Sequence, residues 1–153
     1  MRIGIISDTH GLLRPEAEQR LGGVDHIIHA GDIGRPEIID HLRAIAPVTA
    51  IRGNIDGADW AKAYPATVTV VLGGRCFHVV HDVHDLTIDP AAEGIDMVVS
   101  GHSHRARIET RDRVVYLNPG SAGPRRFKLP ITLATLDISS SSLPPVIHDL
   151  GGG

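Results

Sequence analysis

Residues 2–11 read RIGIISDTHG: a β-branched run from Arg2 to Ser7, cut short by Asp8-Thr9-His10-Gly11. Such a run predicts a strand. The pattern then repeats twice. Pro15 to Leu21 predicts a helix, with Pro15 in its first turn and Gly22-Gly23 to stop it. Val24 to Ala30 (VDHIIHA) predicts a second strand that ends in Gly31-Asp32. Pro36 to Ala44 predicts a second helix, apolar at Ile38, Ile39 and Leu42. Val48 to Arg52 predicts a third strand, ending in Gly53-Asn54. The order β-α-β-α-β implies a parallel sheet with right-handed crossovers.

Working outward, the C-terminal half is richer in strands. Thr67 to Leu72 and Arg75 to Val80 flank Gly73-Gly74 and read as a hairpin. Asp96 to Ser100 is a short buried run ending in Gly101-His102. Ala106 to Thr110 and Val114 to Leu117 flank Arg111-Asp112-Arg113 as a second hairpin, and Ile131 to Ile138 and Val146 to Asp149 complete the strands. Two helices cover only part of this much sheet, so two sheets packed face to face with helices outside are expected. Residues 1–150 read as one α/β domain without repeats or linkers. Ser139 to Ser142 reads as a serine-rich loop and residues 151–153 as a flexible tail.

The 153 residues are 42% hydrophobic and 22% charged, a globular balance that argues against disorder. A chain of this length buries a core without disulfides. The single cysteine, Cys76, has no internal partner and fits a reducing, cytoplasmic compartment. A strand-like run from Arg2, with Asp8 close behind, is no secretory leader, and no apolar run is long enough to span a bilayer. A net charge of −3 gives no whole-chain basic footprint for DNA, and 3% aromatic residues offer no base-stacking platform for single strands.

Ten histidines are the unusual feature. Asp8 and His10 follow the first strand, Asp32 the second and Asn54 the third. His81 follows the Arg75–Val80 run, and His102 and His104 follow the Asp96–Ser100 run. In α/β sheets, sites form at the carboxyl ends of strands. Two carboxylates, one amide and four imidazoles form a mixed N/O set without thiolate. Such a set suits Mn²⁺, Fe, Zn²⁺ or Co²⁺ better than Ca²⁺. Seven donors exceed one tetrahedral ion and match two ions that share a carboxylate. His26, His29, His41, His78 and His148 read as structural or surface residues, with His29 close enough to support a ligand.

The order Asp8-x-His10, Gly31-Asp32, Gly53-Asn54, His81, Gly101-His102-x-His104 resembles the calcineurin-like metallophosphoesterase superfamily. Gly-Asn-x-Asp at residues 53–56 and Asn118-Pro119-Gly120-Ser121 are similar to its small single-domain phosphodiesterase branch. The resemblance implies a four-layer αββα sandwich of two mixed β-sheets flanked by helices. It implies Asp8, His10 and His104 on one divalent metal, Asn54, His81 and His102 on a second, and Asp32 bridging them. Mn²⁺ leads, with Fe, Zn, Co and Ni as alternatives. The implied reaction is hydrolysis of a phosphodiester by attack of a metal-bound hydroxide. Substrates would be phosphate-ester small molecules or nucleotide-like compounds, handled without a membrane and compatibly with a homo-oligomer.

Two departures from the family pattern matter. The usual His-Gly-His is replaced by His81-Asp82-Val83-His84, so His81 is the expected ligand and His84 the alternative, as ligand or proton donor. The histidine that many members carry after Gly-Asn is Ile55, which transfers no proton, so either Asp56 or His84 serves the leaving group or the substrate has a leaving group that needs little help. Asp82 and Asp85 are candidate partners that orient an imidazole. Arg125 and Arg126 read as a solvated pair. The rival reading is an interaction scaffold on the same fold with little or no catalysis, because a subunit of the retromer trafficking coat resembles this branch.

Overall fold

The computed structural model describes residues 1–138 and 143–151. The expected loop at Ser139 to Ser142 and the last two tail residues lie outside the described residues.

Strands β1 (Arg2–Ile6), β2 (His26–His29) and β3 (Val48–Ala50) alternate with helices α1 (Pro15–Leu21) and α2 (Pro36–Arg43). Proline opens each helix. The preceding Arg14 and Arg35 are extended, as a residue before proline prefers, and neither helix has a side-chain cap. β1 pairs parallel to β2, and β2 to β3. The chain then adds β4 (Thr67–Leu72), β5 (Arg75–Val80), β6 (Met97–Val99), β7 (Arg107–Arg111), β8 (Val114–Asn118), β9 (Thr132–Asp137) and β10 (Val146–Asp149). Two mixed five-stranded sheets result, ordered β10-β9-β1-β2-β3 and β4-β5-β6-β8-β7. Both expected hairpins form: Leu72 faces Arg75 across Gly73-Gly74, and Arg111 faces Val114 across Asp112-Arg113.

Three apolar layers hold the fold together. Between the sheets lie Ile3, Ile5, Ile28, Phe77, Val79, Met97, Val99 and Leu117, all essentially inaccessible. Outside the first sheet, Ala17 and Leu21 of α1 and Ile38, Ile39 and Leu42 of α2 pack on Ile6, Ile27 and Leu133. Outside the second sheet, Val80, Val98 and Val114 are covered by Leu86, Ile88 and Ile95. That last cover is thin. Among the described residues it carries one 3₁₀ turn, Val83–Asp85, and no α-helix. Asp89-Pro90 and Gly94 interrupt the segment before a helix can propagate.

The parallel strands decide where the site falls. β1, β2 and β3 all point one way, as do β5, β6 and β8. Backbone bonds tie the loops that leave them: Asp8 N–H donates to the Gly31 carbonyl at 3.0 Å, His10 N–H to the Asp32 carbonyl at 2.9 Å, and Gly101 N–H to the His81 carbonyl at 2.8 Å.

Candidate metal centre

These tied loops hold their polar residues in unusual backbone conformations. Asp8, His10, Asp32, His102 and His104 all have left-handed φ, between 47° and 71°. Non-glycine residues rarely take this region and do so at a cost of roughly 1–3 kcal/mol each unless locally compensated. Five of the seven candidate donors thus bear strain that the surrounding packing imposes. Close approach does the same for Gly53 and Gly101. A Cβ on Gly53 would overlap the Asp32 carboxylate, and one on Gly101 would overlap Ser7 Oγ and Asp8 Oδ2.

Each aspartate is split between two tasks. Asp8 Oδ2 accepts from Ser7 Oγ at 2.8 Å and from His102 N–H at 3.1 Å. Its Oδ1 points the other way, 3.5 Å from His104 Nε2 and 3.8 Å from both His10 Nε2 and His81 Nε2. Asp32 Oδ1 accepts from Ile55 N–H at 3.1 Å, while Oδ2 lies 3.2 Å from His81 Nε2 and 3.5 Å from His10 Nε2. The Ala30 carbonyl can only accept, so His81 Nδ1–H donates to it at 2.7 Å, which aims Nε2 at the two carboxylates.

Among the described residues, the buried side-chain polar atoms without a hydrogen-bond partner are Asp8 Oδ1, His10 Nε2, His81 Nε2 and His104 Nδ1. Buried polar groups are normally paired, so four orphans on neighbouring candidate ligands point to a shared cation. Asp8, His10 and His104 offer donor atoms close enough for one ion, as do Asp8, Asp32 and His81. The donors fit a divalent metal.

The electrostatics agree. Burial opposes charge on His81, but the adjacent Asp32 carboxylate, the bond to the Ala30 carbonyl and the charge of Asp8 prevail, raising its pKa to about 9. Burial likewise opposes charge on Asp32, but the proximity and charge of His81, the bond from the Ile55 amide and the charge of His10 hold its pKa near 2. With the protein alone, the carboxylates retain a proton on His81; a metal ion would take that place. Burial lowers the pKa of His104, against the pull of Asp8, which keeps its lone pairs available at neutral pH.

The remaining expected residues are placed differently. His102 stands at the rim, 46% exposed, with its ring 5.4 Å from that of His81 and Nε2 3.7 Å from Asp82 Oδ2. Asn54 is exposed beside His81 and Asp82. His84 lies outside the buried cluster, 89% exposed, with Nδ1 2.9 Å from Asp82 Oδ1. Asp56, the other candidate proton donor, sits apart from the rim. It is buried, and its carboxylate accepts from three backbone amides: Gly53 at 2.8 Å, and Ile33 and Gly34 at 3.0 Å. These three bonds occupy the carboxylate and pin the Asp32 loop to the Asn54 loop.

Other supports were only partly legible. Ser121 Oγ donates to the Asp8 carbonyl at 3.0 Å, and Asn118 donates to the Gly101 carbonyl at 2.9 Å, so the Asn118–Ser121 run braces both loops. Ser7 carries no sequence signal beyond its place before Asp8. His78, His26 and His148 each bond a threonine hydroxyl, on Thr69, Thr49 and Thr135 respectively, in structural roles.

A two-sheet sandwich with this cluster at one rim defines a class, and comparison agrees: residues 1–141 match the calcineurin-like phosphoesterase superfamily domain, and the chain belongs to that superfamily of metal-dependent phosphoesterases. Among relatives, it is 34% identical over 130 residues to a probable metallophosphoesterase of Methanocaldococcus jannaschii, covering 79% of this chain and 68% of that protein. A structurally characterised archaeal phosphodiesterase superposes with a TM-score of 0.79 at 26% identity, covering 97% of this chain and 100% of the other. Zn²⁺-complexed Vps29 from Entamoeba histolytica shares the fold, with a TM-score of 0.76 at 21% identity over 99% of this chain and 100% of that one. Among the described residues, no helix is long and apolar enough to cross a membrane.

Proposed function

We propose that this chain is a dinuclear metal-dependent phosphodiesterase. The observation that carries the reading is the buried cluster of Asp8, His10, Asp32, His81 and His104, in which Asp8 Oδ1, His10 Nε2 and His81 Nε2 meet without hydrogen-bond partners. Asp8, His10 and His104 would hold one cation, His81 with Asn54 and His102 at the rim would hold a second, and Asp32 would serve both. Mn²⁺ suits this N/O set, with Fe, Zn²⁺, Co²⁺ and Ni²⁺ as competitors. Bound cations supply Lewis-acid charge for an anionic phosphoryl group and acidify water toward neutrality. The Ala30 carbonyl orients His81, and Ser7, Ser121 and Asn118 keep Asp8 and the His102 loop in place. His84, oriented by Asp82, gives a proton to the leaving oxygen, a role that Ile55 cannot fill and Asp56 is bonded out of.

The test is hydrolysis of bis(p-nitrophenyl) phosphate with each metal in turn, followed by an alkyl phosphodiester. Mn²⁺ is expected to support turnover. His84→Gln is expected to slow the alkyl ester by about 10²–10⁴-fold while sparing the p-nitrophenyl ester, whose leaving group needs no proton. Equal losses on both would remove His84 from the mechanism. The scaffold reading draws on the fold shared with Vps29 and on the half-exposed Ile55 beside the centre. Two bound ions per chain with no turnover on any phosphoester would favour it.

A further inference from the structure

Beside His102 the thin outer cover of the second sheet ends, and a cleft of ≈ 230 Å³ opens along β7 and β8. Strand alternation puts Arg107, Glu109 and Arg111 on one face of β7. The antiparallel register sets Tyr116 opposite Glu109 and Asn118 opposite Arg107, so β8 adds its residues to the same face. Glu109 ties the two arginines, 2.9 Å from Arg107 and 3.6 Å from Arg111. The Arg111 guanidinium lies 4.1 Å from the centre of the Tyr116 ring. Arg105 completes the lining, so three guanidiniums face two carboxylates, Glu109 and Asp82. The cleft also begins at the candidate centre: Gly101, His102 and Asp82 form its near wall, and Asn118 at its floor bonds the Gly101 carbonyl.

The cleft is continuous with the candidate centre past His102, so it can receive one substituent of a phosphoester bound there. We propose that the cleft is the subsite for that substituent, and that it selects a nucleotide: a flat base beside the Arg111–Tyr116 pair and a second phosphate on the guanidiniums. Guanidinium planes accept stacked bases and bind phosphate oxygens in pairs. Glu109 offers one carboxylate to two of the three guanidiniums, so a phosphate adds acceptors that a neutral alkyl group lacks. This inference rests on the phosphodiesterase reading and adds the substrate class to it.

The test compares the dinucleotide pApA with ApA, which has the same diester and lacks the terminal phosphate. kcat/KM for pApA is expected to exceed that for ApA by about tenfold, the worth of one charge-assisted hydrogen bond. In the Arg107→Ala/Arg111→Ala double variant the ratio is expected to fall to near one, with the metal content by elemental analysis unchanged. Both side chains are more than half exposed, so the thermal midpoint is expected to hold. A ratio near one in the unaltered chain, or one that survives the double substitution, would overturn the subsite. A binding arm separates this from failure of the enzyme reading. If nothing is hydrolysed, pApA is still expected to shift the backbone amide resonances of β7 and β8 in the unaltered chain and not in the variant. Absent shifts would overturn the subsite independently of catalysis.

Discussion

Gly31 N–H donates to His29 Nδ1 at 3.1 Å, so the ring proton sits on Nε2 and is donated to Thr9 Oγ1 at 3.0 Å, and Thr9 in turn donates to the Ile33 carbonyl at 2.8 Å. This chain leaves no acceptor for a second proton on the ring. Burial outweighs the pull of Asp8 and Asp56 and lowers the His29 pKa to about 4. The folded value lies below the unfolded one near 6.5, so the unfolded chain binds more protons between the two, and stability falls as pH drops through that window. His81 has the opposite sign. Its pKa is raised to about 9, so its contribution is complete below about pH 6.5 and is lost as pH rises through 9. Thermal melts of EDTA-treated protein are therefore expected to show a midpoint that falls on both sides of about pH 6.5. Adding Mn²⁺ should remove the alkaline fall, because a metal held by His81 would take the place of its proton. An alkaline arm that is insensitive to Mn²⁺ would contradict His81 as a ligand.

At the scale of elements, what matters is how closely the loops after β1, β3 and β6 approach. Gly101 lies against Ser7 and Asp8, so Gly101→Ala forces the β6 loop away from the Asp8 carboxylate. The expected result is a loss of about 1–3 kcal/mol of stability, as for other overpacked sites, together with weakened metal binding by equilibrium dialysis. Gly23→Ala is the control: nothing lies near its Cβ, so its backbone strain, φ +83°, should lower stability without touching metal content. The elements themselves were legible in the sequence. Pro15 and Pro36 start helices, and Gly73-Gly74 closes a hairpin, because these are properties of one residue and its neighbours. The cover of the second sheet was less legible. Residues 83–95 carry enough apolar side chains to close that face, yet Asp-Pro and Gly keep them from forming a helix, and the cleft over Tyr116 follows from that shortfall.

For the molecule as a whole, the candidate donors divide by depth. Asp8, Asp32, His81 and His104 are buried and His10 nearly so, whereas Asn54 and His102 stand at the surface. Binding of metal is expected in two classes, one tight and one weak, by calorimetric titration. Asp32→Ala should reduce both, and Asn54→Ala only the weaker; equal effects, by elemental analysis, would contradict the shared role of Asp32. Chelation should also lower the thermal midpoint of the metal-loaded protein, since a ligand at 100 times its Kd contributes about 2.7 kcal/mol to the folded state.

Taken alone, the chain's residues settled the strands, the helices and the chemical type of the donors that end each strand. Those features depend on periodicity, on glycine and proline breaks, and on side-chain chemistry, all of which act over a few positions. Tertiary structure alone decided which oxygen of each aspartate faces the centre, that His81 rather than His84 enters the buried cluster, and that Asp56 is spent on three amides. Each rests on contacts between residues remote in sequence: His81 with Ala30, Asp8 with His102, Asp56 with Ile33. No local pattern encodes such pairings; they exist only once two sheets have closed face to face and brought their loops to one rim.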